Sequence, residues 1–460
     1  MSPPTDPSRM HRYDDQSDAL ARAVFDYVAD RTRREVPLDR PRPAAELEAE
    51  AGAGVTPEGL GWREALRRFT EVLAPATISS DHPLHLAYVP GAPTESAVLF
   101  DLVVSASSIF AGSWQEGAGA VFAENQALGW LAALCGLPTG AGGCFVSGGS
   151  AANLSALVAA RHAAATRRRG DRPRRWRVAA TAEAHSSVRS ATAIMDVDLL
   201  HVPGDARGAL RGDALHDALA ADPDGGDGVF AVVTTAGSTN VGIVDDLAGA
   251  ARVASERGLW LHVDAAYGGA ALAAPSVRHL FAGVEHADSV TIDPHKWLFS
   301  PFDCAALLYR DPALAAAAHT QEAAYLDAVT RDEWNPHDYA YHLSRRARGL
   351  PFWFSLAANG TDAYRDAVEA TLTVTRRVAA EISARGRLEL VLEPELSVVL
   401  FRRLGWGRAD YDEWAERALA DQRAFVRPTS WRGEPVMRFC FVNPRTTVEM
   451  VRPLLDSMLA

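Results

Sequence analysis

The sequence predicts an α/β fold with a mostly parallel central sheet in a large domain and a small α+β domain at the carboxyl end. Between about residue 128 and residue 300, short apolar segments typical of buried strands alternate with segments of helical periodicity. Beyond about residue 350 the pattern changes to one long helix followed by strands. The length of 460 residues also favours more than one domain, because single cores rarely exceed about 250–300 residues.

The predicted elements follow from the period of their apolar residues. Two amphipathic helices come first, over residues 18–34 and 62–73, with a connector rich in proline and glutamate between them. The strands predicted for the large sheet are residues 144–147, 177–181, 229–234, 259–264 and 289–292, and the helices between them are residues 151–169, 187–195, 210–221 and 247–257. The final part is predicted to contain a helix (361–384), a strand pair (389–401), a helix (411–419) and a strand (436–442).

The charge balance and the absence of metal-binding motifs argue against several kinds of ligand for this chain. The chain has 46 basic and 58 acidic side chains and a net charge of −12, which argues against nucleic acid or an anionic membrane as the main partner. Seven arginines between residues 167 and 177 are interpreted as a solvated helix end and loop. The sequence has no HExxH, EF-hand or clustered Cys/His motif, so no metal is expected.

The expected compartment is the cytoplasm. The first residues show no signal segment. The longest stretch without charged side chains, residues 125–160, is broken by glycine and proline, so it is not expected to span a membrane. The four cysteines have no CxxC spacing and lie mostly in apolar runs, as expected of free thiols in a reducing environment.

Lys296 is the first candidate for chemistry, because it is the only lysine and the other 45 basic residues are arginine. Lysine can lose its proton and act as a nucleophile, whereas arginine effectively cannot. Lys296 lies just past a predicted strand, and we interpret it as a residue that forms a Schiff base with pyridoxal phosphate. The alternative is a chance leftover in an arginine-rich composition.

That cofactor needs three further groups. Asp264, at the end of an apolar strand, can keep the pyridine nitrogen protonated, although it could instead cap the following helix. The glycine-serine turn at residues 148–150 precedes a helix and offers backbone amides to the phosphate. His185 can stack on the ring, although a purely structural histidine is the alternative. Since all these residues follow strands of one sheet, we expect them at its carboxyl edge.

Five sequence blocks resemble the group II pyridoxal-phosphate decarboxylases, which include the aromatic-L-amino-acid, histidine and glutamate decarboxylases. The blocks are GGSAANL (148–154), AHSSV (184–188), TTAGST (234–239), HVDAAY (262–267) and PHKW (294–297). The last two together are highly specific, and strong similarity extends from about residue 82 to residue 354. The resemblance implies the PLP-dependent transferase fold of type I and an obligate homodimer with active sites at the subunit interface.

The resemblance also implies a division of the chain and a set of residue roles. An N-terminal helical segment (1–85) would pack on the dimer partner, a large domain (86–349) would bind the cofactor, and a small α+β domain would span 350–460. The catalytic residues would be Lys296, Asp264, His185 and Tyr325, with Tyr325 as a proton donor. The cofactor contacts would be Gly149, Ser150, His185, Thr235, Asp264, Ala266, His295 and Lys296, and the substrate contacts would be Tyr88, Pro90 and His185.

Three positions depart from the family's pattern. Asp293 stands where aromatic decarboxylases have an asparagine near the phosphate, so its carboxylate is expected to point elsewhere or to bond another group. Residues 121–124 (VFAE) replace the family's TELE segment, and residues 87–90 (AYVP) keep one aromatic residue of the pocket but lose its neighbour. All three positions are expected near the substrate or the cofactor, so the identity of the substrate stays open.

The predicted function is PLP-dependent decarboxylation of an aromatic or bulky L-amino acid to the amine and carbon dioxide. Two other reactions of this cofactor remain open, an aldehyde synthase that also deaminates oxidatively and a carbon–carbon lyase that cleaves a side chain. A serine hydrolase is a distant alternative, because Ser150 lies at a strand-to-helix turn that approximates a G-x-S-x-G elbow. That alternative leaves Lys296 and Asp264 without a purpose.

Overall fold

The computed structural model describes residues 8–321 and 333–459. Its helices are α1 (Asp15–Arg33), α2 (Ala44–Ala51), α3 (Trp62–Arg68), α4 (Glu95–Ser107), α5 (Trp114–Leu134), α6 (Gly149–Arg167), α7 (Ser186–Ile194), α8 (Gly212–Ala221), α9 (Leu247–Arg257), α10 (Pro294–Trp297), α11 (Pro312–His319), α12 (Leu350–Asn359), α13 (Thr361–Ser383), α14 (Arg408–Ala420) and α15 (Val448–Ser457). Its strands are β1 (Gly142–Val146), β2 (Arg177–Ala180), β3 (Asp198–His201), β4 (Val229–Thr235), β5 (Trp260–Asp264), β6 (Ser289–Ile292), β7 (Ala305–Tyr309), β8 (Leu388–Leu392), β9 (Val398–Arg403), β10 (Arg427–Trp431) and β11 (Glu434–Cys440).

A seven-stranded sheet with the order β1-β7-β6-β5-β4-β2-β3 forms the centre of the molecule. Its strands run in one direction except β7, which pairs antiparallel with both β1 and β6. Both faces of this sheet are covered, as strand β7 shows. Its residues Ala306 and Leu308 pack in one apolar core, and Ala305 and Leu307 pack in another core on the opposite face. Strands β1, β4, β5 and β7 are buried along their whole length, which explains their near-continuous apolar sequences.

A second, antiparallel sheet with the order β10-β11-β9-β8 lies in the carboxyl-terminal region. It packs on helices α13, α14 and α15 through a core that includes Phe401 and Phe439. In a separate cluster, Leu400 of β9 meets Val241 and Ile243, which follow β4. The small sheet is therefore held close to the carboxyl edge of the large one.

The predicted fold class is confirmed, and each strand predicted for the large sheet overlaps an observed strand. The prediction missed β3 and β7 in this sheet and β10 in the small sheet, together with helices α4, α5, α10, α11, α12 and α15. Helix α5 buries residues on several of its faces and contains three glycines, at positions 117, 119 and 129, so its apolar residues show little helical period. The connector expected between the first two helices contains α2.

The division of the chain at residues 85 and 349 stays a prediction. Within the two described ranges, no helix is both long and apolar enough to cross a membrane.

Candidate active site

A cavity of about 370 Å³ lies at the carboxyl edge of the large sheet. Eight predicted site residues line it, namely Gly149, Ser150, His185, Thr235, Asp264, Ala266, His295 and Lys296. They lie at or just after the ends of strands β1, β2, β4, β5 and β6, which all run in the same direction. The structure therefore brings these residues together as the strand pattern predicts.

Lys296 lies in the short helix α10, which begins immediately after β6 with Pro294 at its first position. Its Nζ atom is 2.8 Å from Oδ2 of Asp293, whose side chain is 2% exposed. Burial is the largest single effect and lowers the pKa of Lys296, but the charge and the hydrogen bond of Asp293, together with the charge of Asp264, raise the pKa overall. Asp293 therefore bonds the amine and holds it in its charged form.

Asp264 is the last residue of β5 and is buried. Its Oδ1 atom accepts a hydrogen bond from the backbone N of Ala266 (3.1 Å), and its Oδ2 atom accepts one from Nδ2 of Asn153 (2.8 Å). The next helical turn begins only at Gly268, with Tyr267 at its N-cap position, so Asp264 is not the cap of that turn. Because both of its hydrogen-bond donors are neutral, the carboxylate can still hold a cationic group in the cavity.

His185 is the N-cap residue of α7. Its Nδ1 atom accepts a hydrogen bond from the backbone N of Ser187 (3.2 Å) and lies 2.8 Å from Oγ of the same residue. His185 therefore caps α7, as the purely structural alternative requires, but this cap uses only the Nδ1 atom of the ring. The side chain is exposed and lines the cavity, so Nε2 and the ring face are available for a second role.

The glycine-serine turn leads from β1 into α6, a helix of 19 residues with Gly148 at its N-cap position. The turn is tightly packed, because a Cβ atom at Gly149 would lie 3.0 Å from Oδ2 of Asp293 and 3.2 Å from Cβ of Ala266. The first amides of a helix lack partners within the helix and attract anions. Gly149 and Ser150 are therefore positioned to offer backbone amides to an anion, next to the pair of Asp293 and Lys296.

Two polar atoms in the cavity wall are buried without a hydrogen-bond partner among the described residues, Oγ1 of Thr235 and Oδ1 of Asp293. Buried polar atoms without partners are costly and indicate a bound group or water. The wall also offers the amine of Lys296, the carboxylate of Asp264 and the amino end of α6. These are the groups that the aldehyde, the ring nitrogen and the phosphate of pyridoxal phosphate require, so the residues present fit this cofactor.

Three predicted residues are not placed in the cavity wall. Tyr88 is 63% exposed, and neither Tyr88 nor Pro90 lines the cavity that the described residues form. Tyr325 falls within residues 322–332, outside the described residues, so its role stays a prediction.

Glu124, in the segment that replaces TELE, lies in a buried ion pair rather than in the cavity wall. Its Oε2 atom is 2.7 Å from Nη1 of Arg345, and its Oε1 atom accepts a hydrogen bond from the backbone N of Gly349 (2.8 Å). Glu124 therefore ties α5 to the residues before α12, and the expectation that residues 121–124 lie near the substrate or the cofactor stays a prediction.

Asn153 and Phe302 also line the cavity, although the sequence pattern assigns them no role. Asn153 is 1% exposed within α6. An asparagine among the apolar residues of a buried helix was an available signal, because a buried amide needs hydrogen-bond partners. Phe302 is 58% exposed, and its ring centroid lies 4.7 Å from that of His295, which gives the cavity rim an aromatic surface.

Comparisons of the sequence and the structure with known proteins give consistent results. Residues 50–404 match the family described as the pyridoxal-dependent decarboxylase conserved domain. An aromatic-L-amino-acid decarboxylase of Bacillus atrophaeus is 32% identical over 393 residues, which cover 83% of this chain and 81% of the relative. An L-2,4-diaminobutyrate decarboxylase of Rhizobium meliloti (strain 1021) is 33% identical over 388 residues, which cover 82% and 77%. The crystal structure of Oryza sativa TDC with PLP and tryptamine has a TM-score of 0.90 at 25% identity and covers 100% of this chain and 98% of that chain.

The substitution Asp293→Asn tests the pairing of Lys296. Without the carboxylate charge, burial dominates, so the pKa of Lys296 should fall and the fraction of neutral amine near neutral pH should rise by about tenfold or more. Reductive methylation of the apoenzyme with carbon-13 formaldehyde labels only Lys296 and the N-terminal amine, since the chain has no second lysine. Titration of the two NMR signals then gives both pKa values, with the N-terminal amine as the internal control. An unchanged titration of Lys296 would contradict the pairing.

Proposed function

Because the chain belongs to the pyridoxal-dependent decarboxylase family, we propose that it converts an aromatic or similarly bulky L-amino acid to the corresponding amine and carbon dioxide. The predicted family, enzyme class and cofactor are confirmed, and the protein is a PLP-dependent amino-acid decarboxylase. Membership of this family sets aside the serine hydrolase that the position of Ser150 suggests.

The observation that supports an aromatic substrate is the set of side chains around the cavity. The relatives include both aromatic-L-amino-acid and L-2,4-diaminobutyrate decarboxylases, and a diaminobutyrate carries a second ammonium group that needs a carboxylate. Of the two carboxylates among the described cavity residues, Asp293 is paired with Lys296 and Asp264 is assigned to the ring nitrogen of the cofactor, so neither is left for a second ammonium group. Phe302 instead exposes an aromatic ring at the rim, and an aromatic substrate suits this surface.

The cofactor is pyridoxal 5′-phosphate, which when bound supplies a protonated pyridine ring that draws electrons from the bond broken at the substrate Cα. In our proposal Lys296 holds the aldehyde carbon, and Asp264 holds the proton on the ring nitrogen, because a nearby carboxylate favours the charged ring. Gly149 and Ser150 hold the phosphate. His185 lies against the ring, and the remaining contacts come from Thr235, Ala266 and His295.

The last proton transfer decides the product. We assign the proton donor at the substrate Cα to Tyr325, with His185 as the other candidate. A positioned acid favours the amine, because protonation at Cα then precedes reaction with oxygen, which would give an aldehyde, ammonia and peroxide. The aldehyde synthase and the carbon–carbon lyase remain the alternatives to the proposed reaction.

We also propose a homodimer with shared active sites. Large apolar side chains are exposed on three helices, Phe25 on α1, Leu99 and Val103 on α4, and Phe122 on α5. Helix α1 has 19 residues, none of which is buried, so its apolar side has little cover from its own chain. A second copy would cover these side chains.

A cytoplasmic location is proposed as well, since all four cysteines are buried free thiols.

The dimer is tested by sedimentation of the wild type and of the double variant Leu99→Asp/Val103→Asp. The wild type should show about twice the 49.4 kDa mass of one chain. The double variant should be monomeric and retain less than about a tenth of the activity, because two carboxylates oppose an apolar contact. Leu404→Asp changes a leucine of similar exposure outside these helices and should remain dimeric. A monomeric, fully active wild type would contradict the proposal.

The reaction is tested by incubating the holoenzyme with each common amino acid and with diaminobutyrate, and by measuring carbon dioxide, amine and aldehyde. We expect carbon dioxide and amine in equal amounts from an aromatic substrate, because the two carboxylates among the described cavity residues, Asp264 and Asp293, are assigned to the ring nitrogen and to Lys296. Lys296→Ala should abolish turnover, and borohydride reduction of the wild type should fix the cofactor to the peptide that contains Lys296. Faster turnover of diaminobutyrate would reject the aromatic assignment, and cofactor on the N-terminal amine would reject Lys296.

The substitution Tyr325→Phe tests the proton donor. The variant should still release carbon dioxide but shift its product from amine toward aldehyde, ammonia and peroxide, because the phenol is no longer present to protonate Cα. Tyr341→Phe, at an exposed tyrosine outside the predicted site, serves as the control and should keep the wild-type product ratio. If Tyr325→Phe makes amine as cleanly as the wild type, His185 becomes the better candidate.

A further inference from the structure

A continuous hydrogen-bonded chain of buried side chains lies behind the cavity. Nε1 of Trp260 donates to Oγ of Ser289 (2.8 Å), and the same Oγ lies 2.8 Å from Nδ1 of His262. Nε2 of His262 lies 2.9 Å from Oδ1 of Asn153, and Nδ2 of Asn153 lies 2.8 Å from Oδ2 of Asp264. Each of these five residues is less than 5% exposed, so water does not compete for the bonds.

The direction of each hydrogen bond in this chain follows from the chemistry at its two ends. An indole N–H can only donate, so Trp260 must donate to Ser289. A carboxylate can only accept, so the group of Asn153 that faces Asp264 must be its amide NH₂. The amide oxygen of Asn153 then faces His262 and must accept from Nε2–H.

The hydrogen bonds of His262, in the middle of this series, are consistent with the donor and acceptor roles at its two ends. Burial lowers the pKa of His262 to about 4, so this ring is neutral near neutral pH and carries a single ring proton. With that proton on Nε2, the Nδ1 atom of His262 must accept, and the hydroxyl of Ser289 donates to it. Each group from Trp260 to Asp264 therefore has one compatible donor or acceptor role.

Asn153 begins a second branch with its other amide hydrogen. Its Nδ2 atom also donates to Oγ of Ser187 (3.0 Å). Since Oγ of Ser187 accepts this bond, its own hydrogen is directed to Nδ1 of His185, 2.8 Å away, where the backbone N–H of Ser187 also donates. The Nδ1 atom of His185 therefore accepts, and the ring proton lies on Nε2.

We propose that Asn153 is a positioning residue that sets the hydrogen-bond arrangement on both groups assigned to the cofactor, keeping Oδ2 of Asp264 an acceptor and His185 the Nε2–H tautomer. The chain from Trp260 through Ser289 and His262 holds the Asn153 amide in the required orientation. A rotated amide would place its oxygen against the carboxylate of Asp264 and leave His262 facing a donor. This inference rests on the proposed function, since that function places Asp264 and His185 beside the cofactor.

Neutron diffraction from deuterated crystals of the wild-type holoenzyme tests the arrangement without any substitution. We expect deuterium on Nε2 of both His262 and His185, and both amide deuterons of Asn153 directed to Asp264 and Ser187. Deuterium on Nδ1 of either histidine would overturn the inference even if the cofactor lies where it is proposed. The same density locates the cofactor, so the expected deuterons with the cofactor elsewhere would instead reject the proposed function and leave the hydrogen-bond directions intact.

The positioning role is tested with the isosteric substitution Asn153→Asp, which replaces both donor hydrogens by a second carboxylate beside Asp264. We expect kcat to fall by about 100-fold with KM within about threefold, together with a changed absorbance spectrum of the bound cofactor, because the two carboxylates would share a proton. Ser155→Ala changes another buried residue of α6 that does not line the cavity, and it should leave kcat and the spectrum within about twofold of wild type. A kcat of Asn153→Asp within about twofold of wild type would overturn the positioning role.

Discussion

Six strands of the large sheet share one direction, and the position of the cavity depends on this constraint. The segments after β1, β2, β4, β5 and β6 all emerge at one edge, so residues far apart in sequence, such as Gly149 and Lys296, line the same cavity. Strand β7 runs the opposite way, and its first residue therefore lies at this edge as well. Phe302, three residues before that strand, joins the rim for this reason.

The cavity combines one amine with two carboxylates, and each carboxylate has a different kind of partner. Asp293 is paired with the cation of Lys296, whereas Asp264 is bonded by the neutral amide of Asn153 and a backbone N–H. A buried carboxylate without a cation is costly unless a positive group can reach it. The arrangement therefore leaves Asp264 as the carboxylate that is able to hold a protonated ring nitrogen.

Several residues could be placed from the sequence because their positions follow from strand ends. Asp264 closes an apolar strand and Lys296 follows the next one, so the rule for parallel sheets is enough to bring them to one edge. The same reasoning cannot give the direction of β7, since an apolar run reads the same way in either direction. The family resemblance places residues 121–124 near the substrate or the cofactor, but it does not show that Glu124 pairs with Arg345, because sequence similarity does not show which neighbour a buried charge meets.

By itself, the sequence determined the α/β fold, the family, the single lysine and the edge of the sheet at which the cavity lies, because these depend on composition, motif identity and the order of strands. Only the tertiary structure decided which groups bond each other, including the pairing of Lys296 with Asp293 and the position of Asn153 between Asp264 and Ser187. Hydrogen bonds form over distances of about 3 Å with restricted angles. Strand order fixes positions only to within a residue or two, which corresponds to several ångströms, so the partners emerge only once the helices are packed on the sheet.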